Sequence, residues 1–338
     1  MRFGPNDYLK WHASRVHVAL RQYEIVPVRP ALRFPRPSCA RLVLPPRGVR
    51  LLHARRHPRY ATPLNHRSKA GDDTFMPPLS AAIPPAIPRA ALVTGGAQRI
   101  GRAIALALAE AGFDVAVHCR ASRAACVATC DDIIRLGRRA APLQADLGDE
   151  AETAALLPQA TAALGPIGVL VNNASRFERD EWYDATRTSW DAHLGPNLRA
   201  PFVLTQHFSR LLPDTAQGAI INMLDQRVWS ITPHFVSYTL SKAGLWALTQ
   251  SMALALAPRI RVNAIGPGPS LPNARQSQEQ FGRQADSVPL RHGAGPEEIG
   301  RAIVAILALP AMTGQMLALD GGQHLQWAAG CGAPPSEE

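Results

Sequence analysis

From residue 89 onward the chain alternates short apolar runs with longer stretches whose apolar positions recur at helical spacing. The short runs at 91–94, 115–119, 141–145, 168–171, 219–224, 261–265 and 315–319 read as strands. The stretches at 98–111, 122–138, 151–164, 187–212, 236–256 and 296–309 read as helices, with Pro196 and Pro201 expected to kink the fourth. Strand and helix in strict alternation predict repeated βαβ units around a mostly parallel sheet. Right-handed crossovers then place helices on both faces of seven strands, so an α/β fold of one doubly wound domain over 89–327 is expected, with 328–338 a short tail.

Residues 1–88 show no such period. Arg, His and Pro recur through 29–37 and beyond, and closely spaced prolines remove the backbone donors that a helix or central strand needs. A disordered extension is expected there. A targeting or RNA-binding arm and an upstream stretch ahead of an alternative start at Met76 are the two readings, the second favoured by the absence of an apolar core segment. Charge is divided the same way: residues 1–75 carry 15 basic and 4 acidic side chains, whereas 76–338 carry 21 and 22. A near-neutral body lacks the electrostatic footprint of a nucleic-acid surface. No apolar run approaches the ~20 residues that span a bilayer, so no membrane partner is expected. The five cysteines form no paired-ligand spacing, which predicts no metal and free thiols in a reducing cytoplasm.

The first chemistry-bearing motif is Thr94-Gly95-Gly96-Ala97-Gln98-Arg99-Ile100-Gly101, which leaves a strand and opens a helix. Glycines there let backbone approach a pyrophosphate, and a helix N-terminus offers unpaired N–H groups. The same turn also serves as an ordinary strand-to-helix connection. After the second strand, where an NAD site offers a carboxylate to the ribose, the chain has His118-Cys119-Arg120 and then Ser122-Arg123. A guanidinium with a hydroxyl suits a 2′-phosphate, which predicts NADPH; solvated loop charge is the alternative. Asp146 follows the third strand, as an acceptor for the adenine amino group or as a helix cap. Asn172-Asn173-Ala174-Ser175 ends the fourth strand and Asp225 the fifth. Tyr238 and Lys242, four apart, share one helix face. Lys242 is the sole lysine after residue 69 and Tyr238 one of two tyrosines after 75, which makes an incidental surface pair improbable.

With these residues the chain resembles the short-chain dehydrogenase/reductase family, a Rossmann fold, and within it the pteridine reductase branch. The glycine motif, Asn172 to Ala174, the Tyr238-to-Lys242 motif and Pro267-Gly268 occur in the family's order. Two departures point to the branch: Arg99 stands where most members have a second glycine, and Asp225 stands at the position of the family's serine. By resemblance, Asp225, Tyr238, Lys242 and Asn197 are the catalytic set, Asn197 helping to hold a proton-relay water. Thr94, Gly95, Gln98, Arg99, Ile100, Gly101, Arg120, Ser122, Asp146, Asn173, Ala174, Tyr238, Lys242, Pro267 and Gly268 are expected at the cofactor. Arg99, Ser175, Phe177, Asp225 and Tyr238 are expected at the substrate, with Phe177 over a pterin ring or else a plain rim aromatic.

A tyrosine titrates near ~10, and the Lys242 ammonium with a nicotinamide cation is expected to lower that toward the working range. An ionised Asp225 only accepts hydrogen bonds, so a ketone oxygen is disfavoured and a nitrogen heterocycle with N–H donors is favoured. The resemblance thus implies an NADPH-dependent oxidoreductase acting on a pterin, dihydropterin or dihydrofolate-like ring, cytoplasmic and tetrameric. A carbonyl reductase and a non-catalytic NADP-binding regulator are the alternatives. Residues 271–290, with Gln276, Gln278, Gln280 and Gln284, read as a polar lid.

Overall fold

The computed structural model describes residues 78–273 and 275–326. Seven strands, β1 Ala90–Val93, β2 Asp114–Cys119, β3 Ala140–Gln144, β4 Val169–Asn172, β5 Gly218–Met223, β6 Ile260–Pro267 and β7 Met316–Leu319, form one sheet in the order β3-β2-β1-β4-β5-β6-β7. Every pairing is parallel. Strands β1, β2, β4 and β5 are buried along their whole length, as covering both faces with helices requires. The helices are α1 Arg99–Glu110, α2 Arg123–Arg135, α3 Glu150–Leu164, α4 Arg187–Leu194, α5 Ala200–Leu211, α6 Val236–Leu256, α7 Gln278–Ser287 and α8 Pro296–Leu307. One core layer joins α1, α2 and α8 to the sheet through residues such as Ile104, Ile133 and Ile303; the other joins α3 and α5 through Leu156, Leu204 and Phe208.

Each of the seven expected strands and six expected helical stretches is present, with shifted ends. The stretch 187–212 is not one kinked helix: α4 and α5 are separated by a π turn, Gly195–Arg199, with Pro196 near its start and Pro201 in the first turn of α5. Each proline removes an amide donor, and the wider turn takes up the mismatch. The expected lid contains a whole helix, α7, started by a capping box between Ser277 and Gln280. It buries none of its residues, so it left no apolar period to read.

The boundary at residue 88 is corrected. Residues Leu79–Ala82 form a 3-10 turn, and Ile83 and Ile87 are buried in the same core layer as α1 and α8. Gln217 N–H donates to Ala86 O at 3.0 Å, and the Arg89 guanidinium donates to Ile83 O at 3.1 Å while lying over the Phe113 ring. Prolines tolerate this path because it needs no ladder donors. The rest of the extension and the tail from Trp327 lie outside the described residues, as do Cys39 and Cys331. Cys119, Cys126 and Cys130 are free and buried.

Ile87→Ala is therefore expected to cost ~2–5 kcal/mol, measurable by denaturant unfolding, as for any core isoleucine. A chain beginning at Arg89 should lose both Ile83 and Ile87 and melt lower than one beginning at Met76.

Candidate active site

In the sheet order the chain moves outward from β1 to β2 and β3, then crosses back to β4 on the other side of β1. Strand ends diverge at such a reversal and leave a crevice. Here it holds two clefts. One, of about 670 Å³, runs along the ends of β1 to β4 and is lined by Gly95, Gln98, Gly101, His118, Arg120, Asp146 and Ala174 among others. The second, of about 300 Å³, is lined by Met223, Asp225, Gln226, Arg227, Tyr238, Lys242, Pro267 and Gly268. Arg99, Ile100, Asn173, Ser175 and Phe177 line both, so the clefts are continuous.

The first cleft begins at the glycine turn. Thr94 is buried and does not face the cleft. Its hydroxyl accepts from Asn173 N–H at 2.9 Å and Ala174 N–H at 3.0 Å, and the Asn173 amide donates to Thr94 O and Gly95 O. Both residues thus fasten the turn to the end of β4. Gly101 is fixed by close approach, because a Cβ there would stand 2.0 Å from Gly95 O. Arg99 adopts φ +54°, an uncommon conformation for a residue with a side chain, and its guanidinium donates to Pro272 O at 2.9 Å across the junction of the clefts.

His118, at the end of β2, takes its role from across the turn. It is buried, its Nδ1 accepts from Gly95 N–H at 3.1 Å, and its Nε2 meets Ala145 O at 3.1 Å. The imidazole is therefore neutral with the proton on Nε2, and burial holds its pKa below the ordinary value. It pins the glycine turn to the ends of β2 and β3, a role that only its position beside Gly95 reveals. Arg120 is exposed on the cleft wall, while Ser122 is exposed at the start of α2 and lines neither cleft. Asp146 lines the cleft but one carboxylate oxygen accepts from Gly148 N–H at 2.8 Å.

A dinucleotide fits this arrangement. Gly95 and Gly96 leave the start of the turn without side chains, α1 starts with no side-chain cap on its amides, and no carboxylate stands at the end of β2.

In the second cleft, Tyr238 Oη donates to Asp225 Oδ2 at 2.9 Å, and Lys242 Nζ donates to Met223 O at 2.8 Å. Asp225 Oδ1 accepts from Arg227 N–H at 2.9 Å. Burial, with the Asp225 charge added to it, raises the Tyr238 pKa well above its ordinary value, against a smaller opposing effect of Arg227. In the protein alone the nearest charge to the phenol is the Asp225 carboxylate, and Lys242 is not among the groups that shift it. Burial pushes Lys242 down to about 8, opposed by Asp225.

Asn197 is brought near but its side chain is committed. It donates to Arg176 O and Ser241 Oγ and accepts from Arg176 N–H at 2.8 Å, so it braces the loop after β4 and lines neither cleft. The π turn supplies the register that turns it inward. Phe177 is not a bare ring: it stacks on Phe235 at 4.7 Å and meets Tyr238 edge-on at 4.7 Å, with the Arg227 and Arg275 guanidiniums within 5.7 Å and 5.2 Å. Gln226 and Arg227, buried beside Asp225, were not foreseen, although two long polar residues just after a buried strand were the available signal. The Gln226 Oε1 has no hydrogen-bond partner among the described residues.

A family model for short chain dehydrogenases matches residues 89–281, more than half of the chain. The chain belongs to this family. Crystal structures of FolM alternative dihydrofolate reductase 1 from Brucella canis and Brucella suis, each with NADP, align with TM-scores of 0.70 and 0.69. Their sequences are 45% and 46% identical to this chain, covering 73% and 71% of it and 98% and 96% of theirs. The 3-oxoacyl-[acyl-carrier-protein] reductase FabG of Staphylococcus aureus is 31% identical over 70% of this chain and 98% of its own length. The seven-stranded doubly wound sheet is the fold this oxidoreductase family uses.

Gly101→Ala tests the glycine turn. Alanine normally favours a helix over glycine by about 1 kcal/mol, yet here its Cβ has no room, so lower thermal stability and weaker dinucleotide binding are expected. Unchanged binding by titration would contradict the geometry.

Proposed function

We propose that this family member is an NADPH-dependent reductase of a pterin, dihydropterin or dihydrofolate-like ring, and the observation that carries the reading is the carboxylate of Asp225 bonded to Tyr238. A ketone reductase needs a second donor to the carbonyl oxygen at this position, and an ionised carboxylate has none to give. A reduced or partly oxidised pterin presents N–H and amino donors, which Asp225 can accept. The two Brucella dihydrofolate reductases support the substrate class and the NADP cofactor. The staphylococcal 3-oxoacyl reductase is what favours a carbonyl substrate, and Asp225 weighs against it.

The cofactor, when bound, supplies the hydride. The residues proposed to hold it are Gly95, Gln98, Arg99, Ile100, Gly101, Arg120, Asp146, Asn173 and Ala174 along the first cleft, with Lys242, Pro267 and Gly268 at the nicotinamide end. Thr94 acts through the shape of the turn, and Ser122 stands exposed two residues past Arg120. Tyr238, kept protonated by burial, gives its phenolic proton to the ring nitrogen adjacent to the carbon being reduced. Lys242 keeps a positive charge beside the oxygen left behind. Asp225 orients the ring through its N–H donors, and Phe177, held by Phe235 and the two guanidiniums, forms an aromatic wall of the cleft. Arg99, at the junction of the clefts, faces both ligands. The same reading carries a cytoplasmic tetramer, and apolar side chains left in solvent, such as Leu254 at 84% exposure, are available to contacts between subunits.

Steady-state assays with dihydrobiopterin, dihydrofolate and a simple ketone test this directly. NADPH should be preferred to NADH, and Arg120→Asp should erase the preference. Asp225→Ser should slow pterin turnover about 100-fold or more while opening weak ketone reduction. Tyr238→Phe should abolish whichever reaction uses the phenolic proton. Unmodified protein that reduces ketones and leaves every pterin untouched would refute the substrate assignment.

The pH profile carries a sign as well. Lys242 is an ammonium below about 8 and loses its charge as pH rises through that value, so turnover should fall on the alkaline side near 8.

A further inference from the structure

The loop between β4 and α4 carries Phe177, and it is fastened to the first turn of α6, which carries Tyr238, by side chains that the chemistry above does not use. Asp180 is 4% exposed, Ser237 0% and His193 1%. Asp180 Oδ1 accepts from Ser237 N–H at 3.1 Å, and its backbone carbonyl accepts from Val236 N–H at 3.2 Å. Asp180 Oδ2 accepts from the Ser237 hydroxyl and from Ser189 Oγ at 3.1 Å. His193, from α4, meets Ser237 Oγ with Nδ1 at 2.6 Å, and its Nε2 accepts from Glu178 N–H at 3.0 Å.

One proton arrangement satisfies every contact. Glu178 N–H needs a lone pair on Nε2, so the proton of a neutral imidazole is on Nδ1 and donates to Ser237 Oγ. That hydroxyl must then donate to Asp180. A doubly protonated ring would set a second N–H against the Glu178 amide, two donors with no acceptor between them.

We propose that Asp180, Ser237 and His193 form a latch that seats the 175–185 loop on the catalytic helix, and that it closes only around a neutral His193. They are positioning residues: they act through Phe177, which stacks on Phe235, and through Tyr238, the neighbour of Ser237. A second tie, Glu181 to His234 at 3.0 Å, holds the same two segments. The groups facing His193 are Arg176, Glu178 and Asp180 from the loop and Tyr238 from α6. Burial, helped by Arg176, outweighs Asp180, the Ser189 backbone acceptor and Glu178 and keeps the ring's pKa below its ordinary 6.5. The sign follows: the latch is complete above 6.5 and opens as pH falls through the lowered value.

The inference rests on the roles given above to Tyr238 and Phe177, so it is tested with one readout that needs no turnover. In the full chain, Asp180→Asn and Ser237→Ala should each lower kcat about 10- to 100-fold and raise KM for dihydrobiopterin. NADPH affinity should fall less than KM for dihydrobiopterin rises, because no latch residue contributes to the glycine turn, although Ser175 to Glu178 of the seated loop line the far wall of that cleft. Amide exchange over 176–183 should accelerate. His193→Ala should follow them, and His193→Gln should restore activity relative to alanine, since an amide can donate and accept at the two ring-nitrogen positions but does not titrate. The acid limb of kcat/KM should flatten in that variant.

Wild-type kcat, KM and exchange in Ser237→Ala would overturn the latch, including where Asp180→Asn fails to fold. An acid limb unmoved in His193→Gln would overturn the requirement for a neutral ring. Faster exchange in Ser237→Ala of a protein inactive on every pterin would defeat the substrate assignment and leave the latch standing.

Discussion

Four residues of helix advance about 6 Å and two residues of strand about 6.6 Å, and this near equality sets the geometry of the second cleft. Tyr238 and Lys242 lie one turn apart on α6; Asp225 and Met223 lie two residues apart where β5 ends. Each helix side chain therefore finds its own partner on the strand, phenol to carboxylate and ammonium to carbonyl. Moving α6 by a residue would break both bonds together. The rest of the site is arranged around keeping that helix in register.

Burial gives the pair its electrical character. An ammonium and a phenol at the same depth are held in opposite ways: the phenol is driven to stay protonated, while the ammonium is brought close to losing its proton. The unequal effect comes from one rule, that low-dielectric surroundings disfavour whichever form is charged. Asp225 sharpens the first and opposes the second, so one carboxylate adjusts both groups. A serine at that position would leave Lys242 with burial alone and Tyr238 with burial and the opposing Arg227 charge, which is why the substitution alters more than hydrogen-bond direction.

How much of this was legible in the sequence depended on range. Strands buried on both faces announced themselves as apolar runs, and the spacing of Tyr238 and Lys242 was visible because it lies within one helix. The α7 helix was not, since polar residues capped by Ser277 and Gln280 carry no apolar period. Ile83 and Ile87 were hidden by the prolines around them, which argue against regular structure but not against packing. His118 was read with its chain neighbours, although what defines it is Gly95, across the turn. Ser122 stands exposed at the start of α2, two residues past Arg120, and does not line the cleft that Arg120 does.

Local rules are broken where the clefts meet, and few of the breaks are accidental. Arg99 and Phe235 both take positive φ, each at the first turn of a helix that faces the crevice, and the π turn places Asn197 on the loop that carries Phe177. Conformations of this kind cost ~1–3 kcal/mol each and persist only where surrounding contacts over-determine them. At Arg99 that role falls to the bond to Pro272 and to the Thr94–Asn173 fastening beneath the turn; at Phe235, to the stack on Phe177 and the Asp180 bonds to the two residues that follow. The strained positions are thus the joints between the sheet and the loops around the clefts. The hydrogen bonds that hold them are the means by which a rigid strand end governs where a substrate ring can rest.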